Sequence, residues 1–305
     1  MAMSPEKVVT RIGIGLLAQM ILYQLFGVLA LSLVYLLVPA DIAQADWMLW
    51  ACNYVPYYLI AMPAMLLIFR TVPNSETAPQ NKRRLTVKHF LLLLLACWGI
   101  SGVLGGMSNL LLMLIEAVKG APLSSMENLE AMMEQPWLYL LISTVCAPLV
   151  EEYVFRYLFF KKLARFGGKS YVFFSAFAFA LSHANFSQLL YAFAIGLVLA
   201  TLYYFTRNVG YVVALHMSFN FFGGAVLVFL NSYAGTTAVM VWSLLTLRCI
   251  TAGCIIGISW WKRHKQDIFF SPGEAEITKK MVLRSPGMVL FMVVIAALTI
   301  VGIVM

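Results

Sequence analysis

From Ile12 to its last residue the chain offers apolar runs of about 20 residues one after another, the length a helix needs to cross roughly 30 Å of hydrocarbon. Short polar stretches separate them. A bilayer allows only structures that satisfy their own backbone hydrogen bonds, and runs of this length do so as helices. Composition agrees, because 62% of the 305 residues are apolar and only 11% are charged, too few polar groups to cover a soluble surface. The expected fold is an all-α polytopic transmembrane bundle.

The runs fall at about Ile12 to Val38, Trp47 to Phe69, Phe90 to Ile115, Trp137 to Phe160, Tyr171 to His183, Phe186 to Phe205, Val212 to Leu230, Thr237 to Trp260 and Met288 to Met305. That makes about nine spans, or an eight-helix core if the short fifth run crosses only in part. The first run is longer than a secretion-signal core and no small-residue cleavage site follows it, so it reads as a retained helix.

Cytoplasmic loops collect Lys and Arg. With the N-terminus inside, every basic residue of the 21 falls on the cytoplasmic side except Lys119, opposite, and Arg156 and Arg248, within spans. The opposite side holds Asp41, Asp46, Glu116, Glu127, Glu130 and Glu134. The net charge of +8 therefore reflects topology, and nucleic acid is not an expected partner.

The expected organisation is a single membrane domain over 1–305, with a polar cytoplasmic loop at 71–89 suited to anionic headgroups and an extracytoplasmic loop at 116–136. Pro122 to Pro136 has the acidic spacing of an amphipathic surface helix. Cys52, Cys97, Cys146, Cys249 and Cys254 all lie in apolar runs, without a C-x-x-C, and read as buried free thiols. Gly99, Gly102, Gly105 and Gly106 read as a close helix-packing face.

A charge within a span costs roughly 2.5–3.5 kcal/mol on insertion scales. The fourth run nonetheless holds three in six residues, Glu151, Glu152 and Arg156. On a helix Glu152 and Arg156 are i and i+4 and can pair, whereas Glu151 points about 100° away and is free to face a cavity. The fifth run ends in Phe179-Ala-Leu-Ser-His183, and the seventh carries His216-Met-Ser-Phe-Asn220 with His and Asn on one face. At about 1.5 Å per residue from the cytoplasmic ends, Glu151 lies roughly 13 Å deep, His183 about 18 Å and His216 about 6 Å. Each residue has a plain structural reading as interhelical glue or a staple. Their clustering points instead to a shared polar site in the cytoplasmic half.

E-E-x-x-x-R at 151 to 156, F-x-x-x-H at 179 to 183 and H-x-x-x-N at 216 to 220 together resemble the CAAX prenyl endopeptidase and bacteriocin-processing superfamily, the Abi or type II CAAX proteases. The motif-bearing region, 137–230, is about a third of the chain. The resemblance implies an intramembrane endopeptidase with Glu151, His183, His216 and Asn220 as the catalytic set and Glu152, Arg156 and Phe179 in support. On that resemblance Glu151, held with His183, is expected to take a proton from the attacking water, with His216 and Asn220 expected to hold the oxyanion.

Whether a metal takes part stays open at this point. Glu151, His183 and His216 match a His2Glu zinc set, but Glu151 as a ligand leaves no other base, since Glu152 is committed to Arg156. No H-E-x-x-H occurs. The implied setting is a bacterial plasma membrane, with a leader peptide, a bacteriocin precursor or a prenylated C-terminus as substrate.

Other readings can be weighed on residues. An aspartyl intramembrane protease needs two in-span Asp, and Asp41, Asp46 and Asp267 are all in loops. Gly99-Ile-Ser101-Gly102 has the letters of a rhomboid nucleophile but stands before every His-bearing motif, the wrong order for that class. A transporter predicts charges spread along a path in two corresponding halves, which is not seen. The remaining alternative is a non-catalytic immunity or scaffold protein of the same superfamily.

Overall fold

The computed structural model describes residues 3–75, 83–121, 123, 135–264 and 272–304. Among these, eight helices are long and apolar enough to cross a membrane. In chain order they are α1 (Pro5–Leu37), α2 (Trp47–Arg70), α3 (Val87–Lys119), α4 (Pro136–Phe166), α6 (Phe186–Thr206), α7 (Val209–Tyr233), α8 (Gly235–His264) and α10 (Pro286–Val304). Between α4 and α6 stands α5 (Gly168–Ser182), and a short α9 (Lys279–Arg284) precedes α10.

The fifth expected span is thus a helix of 15 residues, about 22 Å long and short of the hydrocarbon thickness. Ten of its residues are buried, so protein surrounds it more than lipid does. The proposed surface helix at 122–136 falls almost wholly outside the described residues, as does the middle of the 71–89 loop. All five cysteines are free thiols.

The chain forms two compact units. The first comprises residues 1–74 and 277–298, the second 75–276 and 299–305. In the first, α1 packs on α2 through Gln19 Nε2 donating to the Tyr57 hydroxyl at 3.0 Å, with Tyr23 edge-on to Tyr57. Pro56 removes a backbone donor in α2, and the next five residues adopt wider i→i+5 helical turns.

The second unit holds every residue of the three motifs. Its centre is α6, half of whose most apolar stretch is buried, and its edge is α8, with 6% buried. The glycine face expected on α3 is real in part. A Cβ at Gly99 would lie 2.5 Å from the Cys254 nitrogen, so these backbones touch. Gly102 meets the Ile250 side chain, Gly105 makes an ordinary contact with Tyr191, and Gly106 faces open space.

Candidate active site

The fourth run is not a plain α-helix. Wide i→i+5 segments span Leu140–Cys146 and Glu152–Leu158, flanking one α-helical turn at Ala147–Glu151. Such segments recur at functional sites because they leave carbonyls without an intrahelical donor. Pro148 makes the first of these predictable. The Ala147 N–H bonds Ile142 O, and the next donor along the wide ladder would be residue 148, a proline without an N–H. Ser143 O is left over, and Asn220 Nδ2 of α7 donates to it at 2.9 Å. In the second segment Phe155 O accepts from Ser175 Oγ at 2.6 Å, tying α5 to α4.

Glu152 and Arg156 pair as their spacing predicts. Arg156 Nε lies 2.9 Å from Glu152 Oε2, and both side chains are fully buried. The terminal guanidinium nitrogens have no hydrogen-bond partner among the described residues. Their charge rests instead on a ring face, with the guanidinium carbon 4.3 Å from the Phe179 centroid. The other in-span arginine, Arg248, is exposed on α8.

Glu152 does more than staple. Its other oxygen, Oε1, accepts a hydrogen bond of 2.8 Å from His216 Nδ1, which is 64 positions away on α7. A carboxylate only accepts, so Nδ1 carries the hydrogen and the ring is fixed with Nε2 turned outward. Glu151 Oε2 stands 3.8 Å from that Nε2, on a side chain that keeps 22% of its surface exposed. Adjacent glutamates therefore meet opposite nitrogens of one imidazole. The depth estimate set Glu151 and His216 several ångströms apart; in the folded chain they are level.

His183 ends α5, where the chain turns through Ala184 at φ 48° and Asn185 caps α6 by accepting from Ser187 N–H. Its Nδ1 donates to Phe179 O at 2.9 Å, since a carbonyl can only accept, and Nε2 is left as the acceptor. Phe179 stands edge to face with His183 at 4.8 Å and with His216 at 5.8 Å, so one ring spaces both imidazoles and seats Arg156. No hydrogen bond or ion pair joins His183 to Glu151 among the described residues; the histidine paired with Glu151 is His216.

Residues 133–222 match the family described as type II CAAX prenyl endopeptidase, Rce1-like. This segment of the chain is Rce1-like. No curated protein and no solved structure matches the chain. The Rce1-like segment contains Glu151, Glu152, Arg156, Phe179, His183, His216 and Asn220, and it includes the short α5.

A zinc set of Glu151, His183 and His216 does not fit this arrangement. Among the described residues no three His, Cys, Asp or Glu side chains gather as one ion requires. Sequence reasoning missed Pro148 and Ser143, which fix Asn220, and it gave Glu152 one partner where it has two. An in-span proline was the available signal for the first; nothing local signals the second.

Proposed function

We propose that this membrane protein is an intramembrane endopeptidase that hydrolyses a peptide bond of a membrane-associated protein or peptide, with Glu151 activating the water. The observation that carries the reading is the buried line Arg156, Glu152, His216, with the partly exposed Glu151 at the imidazole's far nitrogen. A structural staple needs only the first two of these groups.

Glu151 takes one proton from the water as its oxygen attacks the scissile carbonyl carbon. His216 Nε2, oriented by Glu152, lies beside that proton transfer. Asn220 uses one amide hydrogen on Ser143 O and has a second to give the developing oxyanion. His183, with Nδ1 tied to Phe179, offers Nε2 to the same water. As the carbon–nitrogen bond breaks, the proton held by Glu151 passes to the leaving amine. The proposed setting is a bacterial plasma membrane, with leader peptides, bacteriocin precursors or prenylated C-termini as substrates.

The test is turnover by the purified protein in nanodiscs, with products read by mass spectrometry from an S-farnesylated Cys-a-a-X peptide and from a membrane-anchored leader peptide. Glu151→Gln is expected to lose about 10²- to 10⁴-fold in rate with unchanged thermal unfolding. Undiminished cleavage by Glu151→Gln would remove it as the base.

A further inference from the structure

One buried donor near this site has nothing to bond. Trp98 Nε1, on α3, is shielded from solvent and has no hydrogen-bond partner among the described residues. Buried indole N–H groups ordinarily find an acceptor, and one left without a partner is costly enough to need a reason. The ring is held edge to face with Phe222 of α7 at 5.9 Å, which fixes where the N–H points.

What lies beside it is a glycine. A Cβ built on Gly223 would come 3.6 Å from Trp98 Nε1 and, its own helix backbone aside, would meet no other atom of the described residues within 4 Å. Gly223 is itself exposed, whereas the next glycine is covered by the Tyr139 hydroxyl. The surface over Gly223 is therefore open, floored by bare backbone and edged by one unspent donor. Glycine at such a place lets another main chain approach closely.

The position of this spot decides what fits it. His216, Asn220 and Gly223 follow one another at i, i+4 and i+7 along α7, the last within a wider i→i+5 turn, Phe221–Ala225, that carries Gly223 somewhat round from the other two. Seven residues of helix rise about 10 Å. An extended peptide advances about 3.3 Å per residue, so the donor stands about three residues from a bond cleaved beside His216. An extended peptide also presents carbonyl oxygens, the acceptor this N–H lacks.

We infer that Trp98 and Gly223 form a substrate subsite, in which the indole N–H donates to a main-chain carbonyl of the bound peptide about three residues from the scissile bond while the peptide lies across Gly223. This rests on the hydrolytic reading above. Trp98 acts as a binding residue and takes no part in proton transfer.

The test measures affinity apart from chemistry. A fluorescein-labelled peptide ending in S-farnesyl Cys-a-a-X, with six residues upstream, is titrated against the Glu151→Gln protein in nanodiscs and followed by anisotropy. Adding Trp98→Phe, which keeps a ring and removes the N–H, should weaken binding about three- to tenfold, the worth of one neutral hydrogen bond. Gly223→Ala leaves Trp98 intact and sets a methyl in the path of a main chain approaching the indole N–H, and it should weaken binding as much. A peptide series with one carbonyl at a time reduced to methylene should lose the same factor at a single position, and Trp98→Phe should abolish that sensitivity. Unchanged affinity in both variants, a lipid ester occupying the donor instead, or no peptide binding at all would overturn the subsite. The two ideas fail separately. Turnover surviving Glu151→Gln removes the base and leaves the Trp98 dependence of binding to be read. Glu151-dependent turnover with KM and Kd unmoved by Trp98→Phe and Gly223→Ala removes the subsite alone.

Discussion

Replacing Arg156 by Met removes the positive member of a pair whose side chains are both fully buried, 2.9 Å apart. The methionine keeps much of the volume, so the loss is electrostatic more than steric. Stranding one buried charge costs about 3–5 kcal/mol, and losing the guanidinium from the Phe179 face forfeits up to about 2 kcal/mol more in a desolvated site. Removing Glu152 as well should recover most of that. The double variant Glu152→Met/Arg156→Met has no stranded charge and leaves only the His216 Nδ1 hydrogen without its acceptor, at about 1–3 kcal/mol. The double variant is thus expected to be more stable than Arg156→Met alone, yet inactive because His216 is no longer held. SDS-induced unfolding in mixed micelles, followed by circular dichroism, measures all three proteins on one scale. An Arg156→Met protein as stable as wild type, or a double variant less stable than Arg156→Met, would refute the argument that the pair is a closed buried unit.

Pro148→Ala supplies an N–H that can reach Ser143 O and compete with Asn220; it should leave unfolding unchanged or improved while lowering kcat by about tenfold or more, as a misplaced oxyanion donor does. Wild-type kcat in that variant would show that the proline does not set Asn220. Phe179→Ala should cost about 3–5 kcal/mol of stability, whereas Phe179→Leu should keep the fold and still impair turnover, because only a flat ring spaces His183 from His216. Equal activity for Leu and Phe would undo that assignment. Gly253→Val drives a side chain into the α3 backbone at Leu95 and should lower yield and melting temperature, while Gly106→Ala, with nothing within 4 Å, should do neither. Similar melting temperatures for the two would contradict the close α3 to α8 contact.

Much of this was legible in the residues. Eight of nine apolar runs became helices long enough to span, because run length against membrane thickness is a one-dimensional quantity. The Glu152 and Arg156 pair was legible for a similar reason, since i and i+4 lie together on any helix. The shared face of His216 and Asn220 follows in the same way.

What the chain could not announce depends on distance between helices. Glu152 marks Arg156 as paired, but only the packing of the helices seals Arg156 against Phe179 and leaves Arg248 exposed on α8. The run at 171–183 is short enough to allow only a partial crossing; that protein surrounds it, with ten of its residues buried, is decided by the neighbouring helices. The assignment of two carboxylates to one imidazole belongs to the same class. Helical geometry alone turns Glu151 and Glu152 apart; the packing of α7 against α4 brings His216 between them, with one nitrogen bonded and the other open. Sequence order sets which groups share a helix face, through bonds that repeat every few residues. Which groups share a site is decided by how those faces meet, and that contact is made only when the bundle closes.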